Sequence, residues 1–291
     1  MNYPIVKVTT QDGYTFHGLF SEPKQKGQTI VIHFHGSAGN FYFNDFYPHL
    51  IKLSNELNIA FLSTNSRGSD VYSVETGTKY TGAAIEIFEE CLLDIDAWIE
   101  FALSRGYKNI ILEGHSFGTN KIQFYSLNGK HKDQIKALIL LGFTDSYGGQ
   151  LEYLKKIGKS NEDILKEAED LVKQGKPYQL LSDIEINWGE LPQSAQSYIS
   201  FMSMDSALSN VLPLGQPGKE FSNFKKIETP ILGIVGDTGE CTVIPPKDAV
   251  DRLNKENPNA ECYMIENCGH GYQGREEELG KIVTEFLNKI N

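Results

Sequence analysis

Cysteine is scarce in this chain: four residues among 291, Cys91, Cys241, Cys262 and Cys268, none in CxxC spacing. That excludes a zinc ribbon or a disulfide framework and leaves buried or free thiols, as suits a reducing compartment. Lys and Arg never run beyond an adjacent pair, and the net charge is −11 with a pI near 5.2. The electrostatic footprint of a nucleic-acid or anionic-membrane binder is therefore missing, and neither partner is expected. No apolar run approaches the roughly 20 residues that cross a bilayer. The opening "MNYPIVKVTTQDG" has no basic stretch leading into an apolar one, so a cytoplasmic location is the default expectation. HExxH, EF-hand and paired-cysteine patterns are absent, and no metal or other cofactor is expected. Internal repeats and low-complexity tracts are lacking too.

What is present suits a packed enzyme-sized domain. Apolar residues make up 40% of the chain and aromatics 11%, too rich for a disordered protein. A single α/β domain reaches roughly 200 to 250 residues, so one domain with a sizeable insertion accounts for the length. "PIVKVTTQDGYTFHGLFSEP" reads as two strands joined across Asp12-Gly13, and "QTIVIHFHG" as a strand buried on both faces. A helix around 44–57, a strand at 59–63, a helix over 83–104, the strand "NIILE" and the strand "KALILLG" follow, which implies parallel strands with crossover helices. In the 83–104 helix Ile85, Phe88, Leu92, Ile95, Ile99 and Leu103 form one apolar stripe, while Glu86, Glu89, Glu90, Asp94 and Glu100 are assigned to a solvated face. From 144 to 226 the alternation stops, with one amphipathic helix near 161–174. It then resumes with the strand "TPILGIVGD", a helix at 246–255, the strand "AECYMIEN" and a helix at 275–290. An insertion of this length between core strands points to a lid or binding segment.

The chemistry gathers around "NIILEGHSFGTNKIQ". Gly114-His115-Ser116-Phe117-Gly118 fits Gly-x-Ser-x-Gly, a strained strand-to-helix corner that raises a nucleophile above the sheet. The following helix aims its free amides and dipole at the hydroxyl, and the Phe117 amide is one oxyanion donor. "VIHFHGSAGNF" supplies the second through the Ser37 amide. His33 and His35 read as packing or hydrogen-bonded strand residues, and His17, His49 and His131 as surface or turn residues. A serine needs a base, and His270 in "MIENCGHGYQG" lies on a Gly-flanked loop after a late strand. The orienting carboxylate should come from "ILGIVGDTGECTVIPP", where Glu240 and Asp237 both compete.

With these residues in place, the chain resembles the α/β-hydrolase superfamily, particularly its esterase and acylglycerol-lipase-like branches. The resemblance covers 1–143 and 227–291 as a core and leaves 144–226 as an inserted cap. It implies a mostly parallel central sheet with helices on both faces. His35-Gly36 matches the family's HG dipeptide, and Asn65-Ser66-Arg67-Gly68-Ser69 its Arg-Gly turn, with Arg67 read as structural rather than as a substrate clamp. The family's acid loop reads Gly-x-x-Asp-x-x-Val-x-Pro. Here Gly236 to Pro245 is one residue longer and places Glu240 where that Asp falls relative to Val243, which favours Glu240 over Asp237. The implied activity is cleavage of a small to medium carboxylic ester through an acyl-enzyme. A thioesterase, peptidase or acyltransferase on the same residues, or a non-catalytic ligand binder of this fold, are the alternatives. Asn40, Phe41, Tyr42 and Phe43 are read either as pocket lining or as core packing, and Cys241 and Cys268 as flanking the acid and the base.

Overall fold

The computed structural model describes residues 4–75 and 79–290. Strands β1 (Ile5–Thr9) and β2 (Thr15–Ser21) form the expected antiparallel hairpin, with Gly13 at φ +83° in the turn. The chain continues through β3 (Thr29–Phe34), α1 (Tyr47–Glu56), β4 (Ala60–Thr64) and β5 (Ser73–Glu75), which pairs antiparallel with β6 (Lys79–Thr81). Next come α2 (Cys91–Ser104), β7 (Asn109–His115), α3 (Phe117–Asn128) and β8 (Ile135–Leu141). Helices α4 (Ser146–Lys156), α5 (Asn161–Lys173) and α6 (Ala195–Met202) fill the stretch before β9 (Ile231–Gly236), α7 (Pro246–Glu256), β10 (Ala260–Ile265) and α8 (Glu276–Ile290). Sheet order is β1-β2-β4-β3-β7-β8-β9-β10, antiparallel at the β1-β2-β4 end and parallel from β4 to β10.

The period-2 geometry of a strand sorts the core into two layers. Ile30, Ile32, Phe34, Ile110, Leu112, Leu138 and Leu140 enter one cluster with Trp98 of α2 and Ile122 of α3. Their neighbours Val31, Ile111, Ile139 and Leu141 enter the opposite cluster with Leu50 of α1 and Val283 of α8. Each fully buried side chain of this kind contributes about 1.5–3 kcal/mol, so the central strands are the most stabilised part of the chain. Their C-terminal ends deliver the loops that build the site.

Two expectations are corrected. The helix expected over 83–104 begins as a 3₁₀ turn at Phe88–Glu90 and becomes α-helical only at Cys91, because the preceding backbone is already engaged. Gly82 donates to the Arg67 carbonyl, Ala83 to Asp70 and Ala84 to Val71, while the Ala84 carbonyl accepts from Ser194. Helical bonds there would have to displace all four. The second correction concerns the acids: Glu86 and Asp94 are buried, not solvated. Asp94 takes the Arg67 guanidinium through Nε at 3.0 Å and Nη2 at 2.8 Å and also accepts the Arg67 amide at 2.9 Å. Glu86 pairs with the buried Lys121 of α3 at 2.5 Å. Helical periodicity reports only that a face is not apolar; the opposite charge arriving from another element is what lets these two acids go inside. Arg67 itself is buried by Asp94, Glu90 and Asp12, consistent with the structural reading.

Between β8 and β9 the single expected amphipathic helix is joined by α4 and α6, which the sequence reading had missed. Asp145 caps α4, accepting from the amides of Gly148 and Gly215 at 2.8 Å each.

Asp94→Ala strands the Arg67 guanidinium without its two-pronged partner and is expected to cost about 3 kcal/mol. Glu90→Ala, on the same guanidinium but at a side chain 45% exposed, should cost under about 1 kcal/mol. Urea midpoints at constant slope measure both, and equal losses would contradict the division.

Candidate active site

Ser116 sits between β7 and α3 at φ +54°, ψ −124°, a left-handed conformation that an L-residue adopts only under constraint. Its amide donates to the Leu141 carbonyl at 2.8 Å and its carbonyl accepts from Thr119, so the corner is held from both sides. Gly114 and Gly118 make the corner possible. A Cβ on Gly114 would lie 2.5 Å from the Gly118 carbonyl, and one on Gly118 would overlap the carbonyl of Phe34 at the end of β3. Gly36 allows a third close approach, since a Cβ there would meet the Ser116 Cβ at 2.8 Å. The loop after β3 therefore lies directly against the serine.

That loop is fixed by His35. Its Nδ1 donates to the Gly36 carbonyl at 2.7 Å, leaving Nε2 to accept from the hydroxyls of Ser66 at 3.0 Å and Ser69 at 2.8 Å. Burial, reinforced by the charge of Lys121, lowers the His35 pKa to about 3, so the ring stays neutral and keeps these roles. Among the described residues neither the Ser37 nor the Phe117 amide donates a hydrogen bond, and both residues line the cleft beside Ser116.

On the opposite wall His270 Nδ1 lies 2.7 Å from Glu240 Oε2, and the Glu240 side chain is completely buried. The other Glu240 oxygen accepts from the Gly236 amide at 2.7 Å, so both carboxylate oxygens are engaged. Asp237 does not reach the imidazole. It accepts the amides of Asn267 at 2.9 Å and Cys268 at 3.0 Å, which also hold its carboxyl below the usual range. Of the two acids, the structure thus brings Glu240 to His270 and uses Asp237 to clamp the loop that carries it.

Ser116, His270, Ser37 and Phe117 border one open cleft of about 540 Å³. Of the stretch 40–43, only Phe43 lines it. Asn40 is buried on Asp70 at 3.2 Å, and Tyr42 and Phe43 are exposed, so core packing does not describe that pair. Cys241 lines the cleft and Cys268 is buried behind it. Both are free thiols whose pKa burial pushes up to about 11, which leaves them protonated and poorly nucleophilic. Among the described residues no group of three or more His, Cys, Asp or Glu is disposed to hold a metal ion, and no helix is long and apolar enough to cross a membrane.

Three contributors escaped the sequence reading. Within the motif itself, His115 Nε2 donates to the His270 carbonyl at 2.8 Å, and the two rings lie 4.8 Å apart. Tyr272 donates to the Ile234 carbonyl at 2.8 Å and accepts from Gly142 at 2.7 Å, tying the His270 loop to β8 and β9. Trp188 closes the cleft from the segment between α5 and α6. His115 was the legible one, since strand alternation places it on the same face as Glu113.

Glu113 faces His33 of β3 across the sheet, Oε1 to Nδ1 at 2.7 Å, with both side chains buried. Burial raises the Glu113 pKa to about 8 and lowers that of His33 to about 3, so the pair is neutral, the carboxyl holding its one proton.

In sequence, no family model and no curated protein matches the chain. Among solved structures, Est1E from Butyrivibrio proteoclasticus with bound ferulic acid superposes with a TM-score of 0.66 at 18% identity, over 98% of this chain and 99% of that one. The Pyrococcus furiosus esterase Pf2001 gives 0.62 at 17% identity, covering 100% and 92%. A soluble variant of monoglyceride lipase from Saccharomyces cerevisiae gives 0.65 at 15%, covering 100% and 97%. At these identities the likeness shows the fold, and the fold is that of the α/β hydrolases.

The buried histidines predict a pH optimum of stability. His35 and His115, both held near pKa 3, refuse protons that the unfolded chain accepts below about 6.5, so stability falls as pH drops from there. From 4.5 to 6.5 the His33–Glu113 pair carries one proton folded or unfolded. From 6.5 to 8 only the folded pair keeps it, so its stabilisation is lost as pH rises through about 8. The unfolding free energy from urea titrations between pH 4.5 and 8.5 should peak near 6.5, with slopes of about 1.4 kcal/mol per pH unit for each net proton. Glu113→Gln should flatten the alkaline limb, and an unchanged limb would refute the assignment.

Proposed function

We propose that this protein is a serine hydrolase that cleaves a carboxylic ester by a two-step acyl transfer. The observation that carries the reading is the arrangement of Ser116, on a strained corner, in one cleft with a histidine whose Nδ1 is held by a buried carboxylate. A ligand receptor of this fold has no use for all three together. The esterases and lipase among the structural neighbours are in keeping with the reading.

In this mechanism His270 removes the Ser116 proton as the hydroxyl attacks the ester carbonyl. Glu240 holds the tautomer with Nδ1–H directed at itself and stabilises the imidazolium that forms. The free amides of Ser37 and Phe117 receive the oxyanion, and the α3 dipole adds to their field. His270 then protonates the departing alcohol. Water, activated by the same imidazole, releases the acid. Residues 144–226 act as a cap over the cleft, limiting water and shaping substrate choice.

Ser116→Ala should abolish p-nitrophenyl ester turnover and labelling by a fluorophosphonate probe while leaving the urea midpoint nearly unchanged. Activity that survives in this variant would remove Ser116 from the mechanism. Glu240→Ala should lower kcat by about 10⁴-fold, and Asp237→Ala by far less; the reverse order would exchange their roles.

A further inference from the structure

A second, much smaller cavity opens off the cleft. It holds about 20 Å³, enough for one water-sized group, and shares Ser37, Phe117, Ser146, Asn187 and Trp188 with the cleft. Its floor is Phe201, Met202 and Leu208. His270 and Ser116 border the cleft but not this side pocket. That difference gives the two spaces different tenants. The departing alcohol must lie within reach of the imidazole that protonates it, on the His270 side. The acyl substituent points away from His270, past the oxyanion amides, which is where the side pocket begins.

We infer that the side pocket is the acyl subsite and that it restricts the enzyme to esters of short acids, acetyl-sized, with the bulkier alcohol accommodated in the open cleft. This assignment rests on the ester-hydrolase reading above. Its wall is rigid. Trp188 and Gly189 take φ of +58° and +78° in a tight turn closed by bonds between Asn187 and Leu191. Gln150 of α4, itself buried, donates to the Ile186 carbonyl at 2.7 Å and accepts the Trp188 amide at 3.0 Å. The Trp188 indole lies where a Cβ on Gly149 would stand, so α4 gives up a side chain to seat it.

Chemistry excludes long chains as strongly as volume does. Asn187 is 8% exposed, borders both spaces, and its side-chain amide makes no hydrogen bond among the described residues. Water or a small oxygen-bearing group satisfies that amide, whereas an alkyl chain leaves it unpaired, and such unpaired groups discriminate strongly between substrates.

The test compares p-nitrophenyl acetate, butyrate and octanoate on wild type, Trp188→Ala and Asn187→Ala, with active sites counted by fluorophosphonate labelling. In wild type kcat/KM should fall by about 100-fold or more from acetate to octanoate. Each variant should raise the octanoate-to-acetate ratio by about 10-fold, and because the readout is a ratio per labelled site, partial misfolding does not imitate it. Octanoate hydrolysed as fast as acetate by labelled wild type, or a ratio unchanged in both variants, overturns the subsite and leaves the hydrolase standing. Absence of both labelling and turnover with every ester takes down the hydrolase reading and the subsite with it.

Discussion

Everything at the site depends on how closely three backbone segments approach one another at Ser116. The corner at φ +54° is tolerable because β7, α3 and the loop after β3 interlock through Gly114, Gly118 and Gly36, each where a Cβ would collide with a neighbour. Strain of this kind costs about 1–3 kcal/mol and persists only when the surroundings over-determine it. Here the surroundings are β3, buried along its whole length, and the largely buried strands β7 and β8. The same close packing that forces the serine into an unusual conformation also brings the Ser37 and Phe117 amides to its side. The serine geometry and the placement of these two amides are consequences of one constraint.

Buried charge extends that constraint away from the serine. Arg67 and Asp94 anchor the loop after β4 to α2, and Ser66 and Ser69 on the same loop hold His35, whose other nitrogen orients Gly36. The guanidinium is thus linked to the loop over the serine by a short run of directed bonds. A pair of apolar residues could fill the same volume, often with equal or better stability, but could not set the direction of a backbone carbonyl. Neutral His35 serves in this run as a connector with one donor and one acceptor, a role that protonation would destroy.

Much of this was legible in the residues. Gly-x-Ser-x-Gly, the apolar runs and the Asp12-Gly13 turn are local signals, and the chain adopts them with small boundary shifts. The placement of Glu240 before Val243-Ile244-Pro245 indicated which acid would meet His270, because loop length is a local property too. Glu86 and Asp94 were misread because their partners, Lys121 and Arg67, come from other elements, and periodicity carries no information about those. The late start of α2 has the same origin: residues 82–84 spend their hydrogen-bonding groups on the loop after β4 and on Ser194. Trp188 was invisible for a further reason, since it lies in a turn whose shape is imposed by Gln150 from a helix that the sequence reading did not find.

The division between what was readable and what was not follows a division of labour in the molecule. The core that presents Ser116, His270 and Glu240 uses short-range backbone rules, and proteins with less than a fifth of their residues in common superpose along nearly the whole chain. The segment between β8 and β9 adds three helices, α4, α5 and α6, to this frame. It is tied down by single directed hydrogen bonds: the Trp188 amide donates to the Gln150 side chain, the Gly215 amide to the Asp145 carboxylate, and the Ser194 amide to the Ala84 carbonyl. The sheet is thus held by a repeating backbone ladder, and the stretch between β8 and β9 by hydrogen bonds that each occur once.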